Sequence, residues 1–211
     1  YPGWVVHLHA GSCALSSLET STAKPETAFM QPPFVHLHLH TEYSLVDGVT
    51  RIKPLVKAVA EAGMPAVAVT DQSNLFAMVK FYRAAMLAGI KPIVGVDVRV
   101  CNPDQITRPH RLVLLCMNRR GYRNLTELIS RSYLQGQHQS IPMLDREWLD
   151  QKSCEGIIAL SGAREGDIGE ALLAGERDQA DARLAFWMER FSERFYLEVQ
   201  RTGRRSEEDY L

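Results

Sequence analysis

From Phe34 onward, short apolar runs alternate with stripes of apolar residues at helical spacing. Phe34 to His40 alternates residue types and predicts a strand. Ile52, Leu55, Val56 and Val59 recur at helical spacing, with Gly63 as a C-terminal stop and Pro65 just beyond. Ala66 to Thr70 is an apolar run that ends on Asp71. Leu75, Met78, Val79, Tyr82 and Met86 form a second helical stripe, stopped by Gly89. Further strands are predicted over Ile93 to Val100, Leu112 to Met117, Gly156 to Ser161 and Phe195 to Val199. Helices are predicted over Tyr122 to Leu134 and Gln179 to Phe191. Strands separated by single helices require crossover connections, which predicts a mainly parallel sheet in a barrel-like or doubly wound α/β fold.

Residues 1–29 lack this patterning. Gly11 to Thr27 is rich in Ser, Thr and Ala, without the basic start and apolar centre of a secretory signal. The expectation is a disordered or non-native leader over 1–29, followed by one patterned domain over 30–211. Near the other end, Ser206 and Asp209 resemble a capping box opening a helix with little room to run before Leu211. That pattern predicts a chain incomplete at its C-terminus.

Composition changes this picture little. Of 211 residues, 45% are apolar and 23% charged, with a formal net charge of −1, so bulk charge does not hold a polyanion. No run approaches the roughly 18 apolar residues of a membrane span. Cys13, Cys101, Cys116 and Cys154 are scattered, which suits a reducing cytoplasm better than a zinc knuckle or a disulfide framework. Arg119, Arg120 and Arg123 cluster at a predicted helix start, as do Arg201, Arg204 and Arg205 near the end. Solvated faces are the simplest account of both.

The chemistry concentrates in His36-Leu37-His38-Leu39-His40. In a strand, three imidazoles at period two share a face and could offer nitrogen ligands to a metal. Val6-His7-Leu8-His9 repeats the tetrapeptide Val35-His36-Leu37-His38 inside the leader, with no strand and helix after it, and is not expected to be a site. After the second copy come Asp47, then Asp71 at one strand end and Asp97 in another strand. In α/β barrels, functional side chains gather at such strand ends.

FVHLHLHTEYSLVDG, PAVAVTDQSNLFAMVKFY, GIKPIVGVD, GYRNLTELISR, GIIALSG and FYLEVQRTGR together resemble the PHP (polymerase and histidinol phosphatase) family, and within it the N-terminal PHP domain of bacterial DNA polymerase III alpha subunits. The resemblance runs from about Phe34 to Leu211. It implies a distorted (β/α)7 barrel, truncated to about its first two thirds, with a metal cluster at one rim. His38 and His40 match the HxH ligands, Asp47 the carboxylate of the following turn, and Asp97 a position where many members have Glu. Asp71 lies beside them in a supporting role. Gln72 and Arg111 stand at positions where metal-binding members carry His, and Ala163 where some carry Cys. His110 is one residue off, so its side chain is expected on the opposite face. An amide is a poor ligand beside imidazole, and an arginine repels cations, so these departures weigh against Zn2+ or Mn2+ at this site.

The resemblance further implies that a longer parent performs DNA-directed DNA synthesis, using Mg2+ at a site outside this segment. The segment itself would have a structural role, and would dock the proofreading exonuclease (epsilon) subunit. Other replicase holoenzyme subunits and DNA would be partners through the rest of the parent, with no membrane. A third reading is a translesion relative of the same subunit. The alternative is a metal-dependent phosphoesterase of the histidinol phosphatase type.

Overall fold

The computed structural model describes residues 4–8, 34–45, 47–201 and 205–211. In chain order the elements are β1 (Trp4–Leu8), α1 (Ile52–Glu61), β2 (Ala66–Val69), α2 (Met78–Leu87), β3 (Lys91–Val100), β4 (His110–Cys116) and α3 (Arg119–Gln135). A two-strand hairpin follows, β5 (Gln137–His138) and β6 (Ile141–Pro142). Then come β7 (Ile157–Leu160), α4 (Asp167–Leu173), α5 (Arg177–Phe191), β8 (Phe195–Arg201) and α6 (Arg205–Tyr210). The main sheet has the order β1-β8-β7-β4-β3-β2 and curls into a half-barrel with helices outside.

The sheet is mixed, which corrects the expectation of a mainly parallel one. β2 with β3 and β7 with β8 are parallel, but β4 runs antiparallel to both β3 and β7. The reason lies in residues 101–109, which join β3 to β4 without a helix. A parallel return needs a crossover of a dozen residues or more, so the chain turns straight back.

The predicted strand over Phe34 to His40 also needs correction. It is an extended segment bridged to β2 only at His36 and Val67. Further along, the Leu39 carbonyl accepts the Thr70 amide at 2.9 Å, but the Leu39 amide donates to the Thr70 hydroxyl, so no regular ladder forms. The leader is not uniformly unstructured: Trp4–Leu8 pairs antiparallel with Leu197 to Arg201 of β8. His9, most of the leader and Arg204 lie outside the described residues. At the C-terminal side, the predicted helix start is α6, tied down by the Tyr210 hydroxyl donating to the Glu198 carbonyl at 3.1 Å.

Side chains alternate across the strands with period two. Val96, Val98, Val100, Leu112 and Leu114 point outward into the largest core, which α3 and α5 close with Leu125, Leu128, Trp187 and Phe191. A second core binds α1 and α2 to β2 through Ile52, Val56, Val59, Val67, Phe81 and Ala85. The α2 expectation inverts here. Its buried residues are Phe81 and Ala85, while Val79, Tyr82 and Met86 of the predicted stripe are exposed.

On the inner face, Ala68, Val113, Leu115 and Leu160 form a smaller apolar layer with Leu37, Ile93, Ile158 and Tyr196 against it. Further along the same strands, that face turns ionic. Among the described residues, no helix is long and apolar enough to cross a membrane.

Candidate metal centre

Asp97 occupies an inner-face position of β3, and Glu198 one of β8, two residues beyond Tyr196. Both are buried, at 1% and 0% exposure. The segment before α1 delivers His38 and His40 above them. The ring atoms of His38 reach Glu198 Oε1 at 2.7 Å through Nδ1 and Asp97 Oδ2 at 3.4 Å through Nε2. His40 lies 3.1 Å from Asp97 Oδ2 through Nε2 and 3.1 Å from Asp47 Oδ2 through Nδ1. One ligand atom each from His38, His40 and Asp97 fall within 4.8 Å of one another, so the three could hold a metal ion.

The turn that carries His40 is built on Asp71. Its carboxylate accepts from the Thr41 amide at 2.6 Å, the Thr41 hydroxyl and the Ser44 hydroxyl, all buried. Thr41 in turn caps the short 3-10 helix Glu42–Ser44. Asp71 therefore does not face the cluster but fixes the backbone that does.

The three positions expected to be altered ligands, 72, 111 and 163, have other contacts. Arg111 donates from Nη1 to Asp97 Oδ2 at 2.5 Å, and its other nitrogens lie 3.8 Å from Asp47 and 3.5 Å from Glu165. Gln72 accepts from Arg99 Nη2 at 2.8 Å and so faces a cation rather than offering a ligand. Ala163 is buried in the turn after β7 and contributes only a methyl group. That turn crosses directly over Arg111: a Cβ on Gly162 would sit 2.4 Å from the Arg111 carbonyl oxygen. His110, on the outer face as its parity requires, lies 3.2 Å from Glu170 instead. His36 does not join the cluster; its ring packs edge-on against Phe34. His7 belongs to β1.

The sequence reading missed Glu198. A signal existed: a lone carboxylate between Leu197 and Val199 in a strand, at the inward parity set by Tyr196. Without knowing which face of β8 turned inward, nothing distinguished it from a solvent-facing residue.

The electrostatics follow from this crowding. Burial would lower the His38 pKa, but Glu198 and Asp97 outweigh it and raise it to about 10. Burial would raise Asp97, yet hydrogen bonds from His38 and His40 and the charges of His38 and Arg111 hold it well below the usual carboxylate range. Glu198 is likewise pushed up by burial and brought down, net, by His38. His38 is therefore an imidazolium between two carboxylates, with Arg111 as a second internal cation.

The donor set fits a divalent ion in chemistry: two imidazoles, buried carboxylates, and orphaned oxygens at Asp97 Oδ1 and Glu198 Oε2. Arg111 occupies the other oxygen of Asp97, so an ion held here would share that carboxylate with the guanidinium.

The PHP domain family matches residues 36–202. Among curated proteins, the DNA polymerase III subunit alpha of Pseudomonas aeruginosa is 57% identical over 182 residues, and that of Escherichia coli K12 is 48% identical over 184. Each alignment covers 86% of this chain but only 15% and 16% of the relative, so the chain spans a small part of their length. Among solved structures, a putative metal-dependent phosphoesterase from Bifidobacterium adolescentis is similar in fold. Its TM-score is 0.50 at 10% identity, covering 74% of this chain and 76% of that one.

Proposed function

The chain belongs to the PHP-domain family, and from that premise we propose that it is the N-terminal PHP domain of a replicative DNA polymerase III alpha subunit, acting as a structural and docking module. In this reading the parent performs DNA-directed DNA synthesis in the cytoplasm with Mg2+ held outside this segment, alongside other replicase subunits and DNA. The module offers a surface to the proofreading exonuclease (epsilon) subunit. The observation that supports the structural role is the Arg111–Asp97 contact, in which a guanidinium takes up one oxygen of the buried carboxylate at the centre of the cluster. A fixed internal cation keeps buried carboxylates charged without any metal, which suits a rim relieved of catalysis.

A second reading, a metal-dependent phosphoesterase, is favoured by the orphaned oxygens of Asp97 and Glu198. There the ion would activate water against a phosphate ester. Metal analysis of the purified chain, with a generic phosphate monoester as substrate, separates the two. The structural reading expects well under one metal per chain and no turnover. Stoichiometric metal with turnover abolished by a chelator overturns it.

A further inference from the structure

Along one side of β8 the domain satisfies the main-chain groups. The Tyr196 carbonyl accepts the Ser161 amide at 3.0 Å, and the Glu198 amide donates to the Ser161 hydroxyl at 2.9 Å. The Glu198 carbonyl accepts from the Tyr210 hydroxyl at 3.1 Å. Successive residues of a strand direct these groups to opposite sides, so those of Leu197 and Val199 face away from β7. There the partner is β1, with Leu8 opposite Leu197, Val6 opposite Val199 and Trp4 opposite Arg201.

An uncovered strand edge is a template for pairing with another chain, and proteins blunt it with lysine, proline, an inward charge or a covering segment. β8, of sequence FYLEVQR, has neither lysine nor proline, and its inward charge, Glu198, is paired with His38. Covering is what remains. The opposite edge of the same sheet is handled alike. Beside β2 lies the extended segment at His36, whose carbonyl accepts the Ala68 amide at 2.8 Å. That segment carries Val35-His36-Leu37-His38, and β1 contains the first three residues of its duplicate, Val6-His7-Leu8-His9. The two edges differ in attachment. Val35 to His38 runs straight into the turn built on Asp71, whereas β1 is joined to the domain only through residues 9–33. A connection of that length gives its end an effective concentration on the order of millimolar, enough to retain a short strand that can still exchange.

We propose that the outer edge of β8 is a strand-acceptor site and that residues 4–8 are its resident strap, held in cis and displaceable by an extended peptide of the same sequence. The strap keeps the main-chain groups of Leu197 and Val199 from pairing with other chains. In register it passes Glu198, so it borders the ionic rim. Main-chain hydrogen bonds supply the affinity, as in other cases of strand addition. This role goes beyond the docking and phosphoesterase readings and depends on neither.

Amide hydrogen exchange on the full chain tests this. Val6→Pro removes the amide at the centre of β1 and lies outside the patterned domain. The Leu197 and Val199 amides, slow in the unsubstituted chain, should exchange at least about tenfold faster in Val6→Pro, with amides of β4 and α3 unchanged. A synthetic peptide of residues 2–10, added at about millimolar concentration, should restore their protection. The same peptide carrying Val6→Pro should not. Equal exchange in the two chains overturns the proposal, as does failure of the peptide to restore protection. Loss of protection across β4 and α3 as well would make β1 an integral strand and not a strap, and overturns it too. So does protection that rises with chain concentration alongside a dimer in sedimentation, because the strand would then be exchanged between copies.

Discussion

Arg99 and Arg111 face each other across the β3–β4 ladder, and each is turned to a different acceptor, Gln72 and Asp97. Like charges directly opposed on a sheet are destabilising unless something intervenes. Burial, and after it the charge of Arg111, lowers the Arg99 pKa. The amide of Gln72 and the carboxylate of Asp97 therefore act as a pair of spacers. Gln72 serves the arginine at 99, while Asp97 serves the arginine at 111.

Removing the guanidinium should uncover a buried charge. Arg111→Met leaves Asp97 with the histidines alone, and we expect a loss of about 3 kcal/mol in chemical denaturation. Arg111→Lys should recover only part of it, because a single ammonium cannot reach Asp97, Asp47 and Glu165 together.

The His38 imidazolium sets a pH dependence. Its folded pKa, about 10, is raised above the ordinary 6.5, so its contribution is fully present below about pH 6.5 and is lost as pH rises towards 10. Stability should decline over that window. Glu198→Gln should lower the His38 pKa by imidazole NMR titration and flatten the decline. An unchanged slope in that variant would remove Glu198 as the cause.

Asp71 holds three buried donors, so Asp71→Ala should cost about 2–4 kcal/mol through unsatisfied groups. It should also loosen the turn that carries His40. Hydrogen exchange at the Thr41 amide should accelerate more than exchange in α5, which lies in the other core.

Gly121 sits where α3 meets the loop before β7, and an added Cβ would lie 1.8 Å from the Gly156 carbonyl oxygen. Gly121→Ala should lower the melting temperature by several degrees, although alanine is the better helix former. A neutral or stabilising result would mean that the loop yields.

On the outer side, Trp187 donates to the buried Asp167 carboxylate at about 3 Å. Trp187→Phe keeps the ring packing near Phe195 but removes one donor from that carboxylate, leaving it the Ile168 amide at 2.8 Å and Arg146 at 3.5 Å. The expected cost is about 1–3 kcal/mol by denaturation.

How much was legible varied by element. α1 was readable because its buried residues are the ones at helical spacing, Ile52, Leu55, Val56 and Val59. α2 was read with its faces exchanged: both carry apolar residues, and only packing against β2 decides that Phe81 is inside. α4 and the β5–β6 hairpin were not anticipated, being too short to show a period. The histidine segment was recognised, yet it forms one isolated bridge at His36 rather than a regular strand, because the Leu39 amide turns to the Thr70 hydroxyl.

By itself the sequence determined the alternation of strands and helices and the parity that separates His110 from Arg111, while the resemblance to a family added His38, His40, Asp47 and Asp97 as one chemical set. Parity and spacing are local properties of the chain, so they survive without coordinates. What only the tertiary structure decided is register and partnership. Because β4 runs antiparallel to β3, the start of that strand, and with it Arg111, rises to the rim where Asp97 and Glu198 meet the histidines. A parallel β4 would have left that guanidinium at the far end of the barrel. The short connection over residues 101–109 rules out a crossover, but which side chains β4 then carries to the rim is fixed only by the register it adopts against β3.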